Sequence, residues 1–304
     1  MNNTTILDQI REKYLAGGEN PENYLKGLLY ARPINYWDYV ETDTLLSLQR
    51  PRTDFKDEEI FIMYHQVTEL VLKMMLHEIK QLVSGDPDNA VCTDKINRLN
   101  RYTTMLITSF DVMRSGMDHD DYNRFRHTLT PASGFQSVQF RQIELYCTRP
   151  ENLLNGEGRA LAARGVPAEE LFDFMYWKSA GLNRSTGKKT LTLRQFEEKY
   201  QDGLVQLARQ IRGNTLEEKI AGRDVLSEEL RAALREFDRL YNIEWPMVHL
   251  GTARHYLENK EGARAATGGS EWQKYLHPAF QQRKFFPSLW TGDELQNWGL
   301  ETRS

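Results

Sequence analysis

Cysteine is nearly absent. Cys92 and Cys147 are the only two in 304 residues, and they lack CxxC spacing. That scarcity excludes a disulfide framework and cysteine-rich zinc modules, and it predicts a cytoplasmic, reducing location. Long hydrophobic runs are missing too: none reaches the roughly 18 residues needed to cross a bilayer. The opening MNNTTILDQIREKYLAGG carries early acids and no apolar stretch of signal-peptide length. No membrane partner is expected. Neither sign of charge dominates, with a formal net charge of −4 and a pI near 6.0, so nothing global predicts nucleic acid. Charged residues are scattered, as on solvated helix faces.

Alternating strand patterns are scarce, and helical periodicity takes their place. After Asp57, read as an N-cap, the residues Phe61, His65, Thr68, Leu72, Met75 and Ile79 form one stripe. That helix is predicted to run to about Val83, before the turn signal Gly85-Asp86-Pro87. Further helices are predicted over 93–113, 134–147, 191–211 and 227–241. The fold class is therefore all-α. A single helical domain is expected over 36–304, long enough for a substantial core, after an irregular N-terminal extension over 1–35.

Several catalytic motifs are absent. GLNRSTGKKT, from Gly181, has a glycine spacing one residue too long for a phosphate loop, and no strand precedes it. His77-Glu78 lacks the second histidine of a zinc helix, and no paired Glu-x-x-His of a di-iron bundle occurs. There is neither a GxSxG elbow nor a GxGxxG turn.

Four segments carry chemistry that is unusual for their setting. In NYWDYVETDTLL, Tyr36, Tyr39 and Val40 share a helical face, as ordinary core residues would. In FIMYHQVTEL, Phe61 and His65 are i, i+4 neighbours. A neutral imidazole there can accept from a buried N–H while the ring packs on a flat ligand, or it can be a satisfied core histidine. In DDYNRFRHTLTPASGFQS, Tyr122 and Arg126 are again i, i+4, with Phe125 and Leu129 on adjoining faces. Such a guanidinium seeks a carboxylate, from a ligand or from an internal acid. Pro131 ends that helix, and Ser133-Gly134 opens the next with free amides. In EWPMVHLGTARHYLENKEGARAATGGSEW, Trp245, His249, Thr252 and Tyr256 line one stripe. His249 there is either core or an axial metal ligand, and Gly268-Gly269 after Thr267 either admits a ligand or makes a turn.

Together, HQxxEL with its upstream Phe, RxxLxPxSGFQS, QxRxIE and a His-bearing helix leading to TGGS resemble the tryptophan 2,3-dioxygenase family, from about Asn35 onward. The resemblance implies an all-α haem enzyme that uses O₂ to open the indole ring of L-tryptophan, giving N-formyl-L-kynurenine. It implies a homotetramer, a dimer of dimers, with one haem b per subunit, ferrous when active. By position, His249 corresponds to the proximal iron ligand and His65 to the distal histidine facing the indole N–H. Phe61 and Leu129 match pocket walls, as does Ser133. Arg126 and Tyr122 match the carboxylate site, and Thr267 the contact with the amino-acid end. Tyr36, Tyr39 and Val40 match residues lent by the neighbouring subunit.

There are departures: Ala266 precedes the Thr-Gly-Gly where the family often has glycine, TPA replaces GPS before SGFQS, and the segment after His249 is longer. Pro246, three residues before His249, is expected to start or kink that helix. Two rivals share the pocket: a haem-dependent hydroxylase or monooxygenase of tyrosine or a modified tryptophan, and a non-catalytic amino-acid-binding helical protein.

Overall fold

A computed structural model describes residues 5–129, 136–182, 186–259, 262–263 and 272–300. The chain divides into two compact units, 1–49 and 50–304. The first is helical where an irregular extension was expected. Helix α1 (Ile6–Ala16) opens on a reciprocal Thr5–Asp8 capping box, and α2 (Pro21–Tyr30) on an Asn20 cap with proline at its first position. Tyr14 and Tyr24 stack with centroids 4.0 Å apart, which holds the two helices together. Short helices α3 (Tyr36–Val40) and α4 (Thr42–Leu45) come after them. Capping signals of this kind span three or four residues, so a search for long hydrophobic stripes passes over them.

In the second unit α5 (Asp57–Ser84) starts with Asp57, Glu58 and Glu59, whose charges favour a helix N-terminus. Asp57 is the first helical residue rather than the cap. Buried Glu58 accepts from the amides of Arg52 at 3.0 Å and Thr53 at 2.8 Å, tying the incoming loop down. Helix α6 (Asn89–Ser115) is capped by Asp88, and α7 (His119–Phe125) by Asp118. After them come α8 (Val138–Cys147), α9 (Gly156–Ala162), α10 (Leu191–Ile211), α11 (Leu216–Ala221), α12 (Glu228–Arg239) and α13 (Trp245–Leu257). The last helices are α14 (Trp272–Tyr275), α15 (Pro278–Gln281) and α16 (Gly292–Gln296). The one ladder among the described residues pairs Glu258–Asn259 with Gly262–Ala263. No helix among them is long and apolar enough to cross a membrane.

Helix α6 packs against α5, α12 and α13, while α8 lies on α5 and α10. The main core gathers Leu72, Met75 and Ile79 of α5, Ile96 and Leu99 of α6, and Leu234 and Phe237 of α12. Each such buried side chain contributes about 1.5–3 kcal/mol. Fully buried Asp238 ties the C-terminal segment to α12. It accepts from the amides of Phe285 and Phe286, at 2.8 and 3.1 Å, from the Trp290 indole at 2.9 Å and from Asn242 at 2.7 Å. Burial raises its pKa against the pull of those four donors. A separate cluster, with Tyr64, Met113, Leu250 and Tyr256, packs where α5, α6 and α13 meet.

Candidate active site

Helices α5, α6, α7, α8 and α13 enclose a cavity of about 870 Å³, within the range of small-molecule and cofactor sites. Phe61 and His65 line it from α5, Tyr122 from α7, and His249 from α13; Leu129 lines it from the 3₁₀ turn Arg126–Leu129. Both histidines carry water-accessible area, yet each ring lies well inside the protein. That area faces the cavity.

His65 is held in one tautomer. Its Nδ1 lies 2.7 Å from the Phe61 carbonyl, which can only accept, so the proton sits on Nδ1 and Nε2 keeps its lone pair. Burial lowers its pKa, partly opposed by the Phe61 carbonyl and by Glu69, and the ring stacks on Phe61 with centroids 4.1 Å apart. Across the cavity, His249 has its pKa pushed down to about 4, by burial first and then by His65. It is neutral at physiological pH and makes no hydrogen bond among the described residues. Tyr64 and Phe110 bridge the two rings along one wall: Tyr64 is 5.4 Å from His65, Phe110 5.8 Å from Tyr64, and His249 5.4 Å from Phe110.

A neutral imidazole without a hydrogen-bond partner among the described residues, beside aromatic walls, suits a metal ligand. Among the described residues no three His, Cys, Asp or Glu groups converge to hold a bare ion. A metal on His249 would need its other ligands from a macrocycle. A haem would fit these residues, held by His249, on a cavity that His65 also lines.

The position of His249 depends on an irregularity just before it. Between α12 and α13, residues Leu240–Glu244 form a single π turn. Pro246 has no amide hydrogen, and in an α-helix its ring would meet the carbonyl of Asn242, so the wide turn sits where that clash would fall. The expected kink is thus absorbed without a break, and Pro246, His249, Thr252 and Tyr256 all line the cavity. Losing the extra residue of a π turn rotates the downstream helix by about 100°. Pro246→Ala should therefore weaken haem binding about tenfold or more, measured by Soret titration. An affinity equal to wild type would show that packing alone sets the register.

A family model described as tryptophan 2,3-dioxygenase matches residues 29–152. The tryptophan 2,3-dioxygenase of Caulobacter vibrioides is 30% identical over 291 residues, covering 86% of this chain and 98% of that protein. The chain belongs to the tryptophan 2,3-dioxygenase family. The relative from Erythrobacter litoralis is 28% identical over 286 residues, covering 85% and 97%, and that from Bacillus thuringiensis subsp. konkukian 29% over 277, covering 84% and 91%.

Of the positions matched to the tryptophan 2,3-dioxygenase pattern, Phe61, His65, Tyr122, Leu129 and His249 converge on one cavity. Arg126 stands behind that wall. It is 5% exposed, its charge reaches the Tyr122 phenol, and its Nε has no hydrogen-bond partner among the described residues. Ser133 and Thr267 lie outside the described residues. Tyr36, Tyr39 and Val40 belong to the first unit and are exposed, at 73%, 77% and 39%. Sequence reasoning missed Glu69, Phe110, Arg141, Arg159 and Arg283, which also line the cavity. Glu69 and Arg141 were within reach, inside the HQxxEL and QxRxIE stretches; the others come together only through tertiary packing.

Proposed function

We propose that this chain cleaves the indole ring of L-tryptophan with O₂ to give N-formyl-L-kynurenine, using one haem b held by His249. The observation that carries this reading is the pair of neutral imidazoles on one cavity, one without a partner and one with a free Nε2 acceptor. When bound, haem supplies the oxygen chemistry, and both oxygen atoms end in the product. The protein orients the substrate. His65 Nε2 accepts from the indole N–H, and Phe61 and Leu129 pack on the ring while displacing water. Arg126 pairs with the substrate carboxylate beside Tyr122. By family position, Ser133 lines the pocket and Thr267 contacts the amino-acid end.

A homotetramer fits the exposed aromatic face of the first unit, since Tyr30, Tyr36, Trp37 and Tyr39 are each more than half exposed. Apolar patches of this kind mark interaction surfaces. A neighbouring subunit would cover Tyr36, Tyr39 and Val40. The cytoplasm suits two free, buried cysteines.

Haem-loaded protein supplied with reductant, air and L-tryptophan should produce N-formyl-L-kynurenine, followed in the near ultraviolet and by mass. Ring-hydroxylated tryptophan retaining its indole, or a catechol when L-tyrosine is supplied instead, would replace this reading with a hydroxylase. Protein that never develops a Soret band would indicate an amino-acid-binding role. Arg126→Ala should raise KM for tryptophan by roughly ten- to a hundred-fold, the value of one charge-assisted pair. A KM equal to wild type would remove Arg126 from the site.

A further inference from the structure

The end of the cavity lined by α8, α9 and Arg283 holds more positive charge than the proposed reaction uses. Arg141 of α8 and Arg283 are 5% and 2% exposed, and they share one carboxylate, Glu144. The Tyr176 hydroxyl lies among them. It accepts from Arg141 at 3.0 Å and Arg283 at 2.6 Å, and donates to Glu144 at 2.6 Å. Two guanidiniums thus face one acid. A third, Arg159 on α9, lines the same cavity beside Asn155, with no acid or hydrogen-bond acceptor paired to it among the described residues. Burial alone depresses its pKa, and its charge, after burial, helps push Lys284 down to about 8. Of the other acids, Asp238 is occupied by its four donors, and Glu69, also on the cavity wall, accepts from Gln139 of α8 at 2.7 Å. Arg141 and Arg283 are buried with one acid between them, and a second buried charge is costly unless something compensates it; Arg159, itself exposed, borders the same empty volume.

We infer that the Arg141–Arg159–Arg283 end of the cavity is a carboxylate-binding subsite, separate from Arg126, with Arg159 making the direct contact. The planar guanidinium matches a carboxylate through two parallel bonds. Two sources present that chemistry: the side-chain carboxylates of a porphyrin seated on His249, which rests on the proposed haem function, and the carboxylate of a free small acid.

The test compares wild type with Arg159→Gln and Arg159→Lys. Iron protoporphyrin IX and its dimethyl ester are titrated into the haem-free chain and followed at the Soret band. Indole-3-propionate is titrated calorimetrically in the Arg126→Ala background, so that the proposed tryptophan position does not contribute. If the porphyrin is the source, Arg159→Gln should lose about ten- to a hundred-fold in affinity for the free acid. The ester should show no change, and Arg159→Lys should recover part of the loss. If a free acid is the source, both porphyrins should bind unchanged while indole-3-propionate binding falls by a similar factor. Wild-type affinity of Arg159→Gln for all three would overturn the subsite. Failure of wild type to take up either porphyrin would sink the haem reading alone, leaving the indole-3-propionate titration to decide the subsite.

Discussion

Replacing His249 with alanine should give a folded protein that no longer retains haem. The ring makes no hydrogen bond among the described residues and borders a void, so its loss removes little packing and orphans no partner. Its contribution lies in the bond to iron. Structural zinc sites gain about 10–16 kcal/mol from four ligands, which puts one nitrogen ligand at about 2.5–4 kcal/mol and its removal at roughly 10²–10³ in affinity. Turnover should fall with occupancy, and free imidazole, small enough for the vacated space, should restore part of the Soret band. His65→Ala makes the contrast: its ring is held by the Phe61 carbonyl, so haem should stay while turnover slows. Normal haem content and normal turnover in His249→Ala would move ligation elsewhere and dismantle the proposed site.

The local elements of this site were legible in the sequence. The stripe from Phe61 to Ile79 became α5, and the helix expected over 191–211 has those bounds. Phe61 and His65 are one turn apart, so their stacking follows from helical geometry alone. Spacing alone puts Arg126 on the helix of Tyr122, but the α-helix ends at Phe125 and Arg126 starts a 3₁₀ turn. That tighter turn alters the direction of the guanidinium relative to the tyrosine. Pro246 signalled trouble in the helix of His249, but nothing local told a break from a π turn. The choice depends on what the turn packs against: Tyr241 and Trp245 lie against Phe140 of α8, with centroids 5.1 Å apart in each case. Arg283 is 139 residues from the Glu144 it pairs with, a separation no short motif encodes. The family pattern brought in residues that periodicity cannot reach, such as Thr267, but it carried no signal for Arg159.

Glu144→Ala should be the most destabilising single change in the cavity wall, at about 3–5 kcal/mol. The carboxylate is 1% exposed and accepts from the Arg283 guanidinium at 2.9 Å and the Tyr176 hydroxyl at 2.6 Å, with Arg141 at 3.0 Å. Burial opposes the charge of Arg283, and the neighbouring Tyr176 and Glu144 outweigh it, leaving that pKa above its ordinary value. Without Glu144 two charged guanidiniums would stay buried against Phe140 with no acid, at 4.4 and 5.0 Å from its ring. Glu144→Gln keeps hydrogen-bond acceptance and loses only the charge, so it should fall between wild type and alanine. Tyr176→Phe removes the bridging hydroxyl and should cost about 1–3 kcal/mol. Urea midpoints of the haem-free proteins should therefore rank wild type, then Tyr176→Phe and Glu144→Gln, then Glu144→Ala. An alanine variant as stable as wild type would mean that solvent, rather than Glu144, neutralises this cluster. The positive excess at that end of the cavity would then be too well hydrated to select a carboxylate.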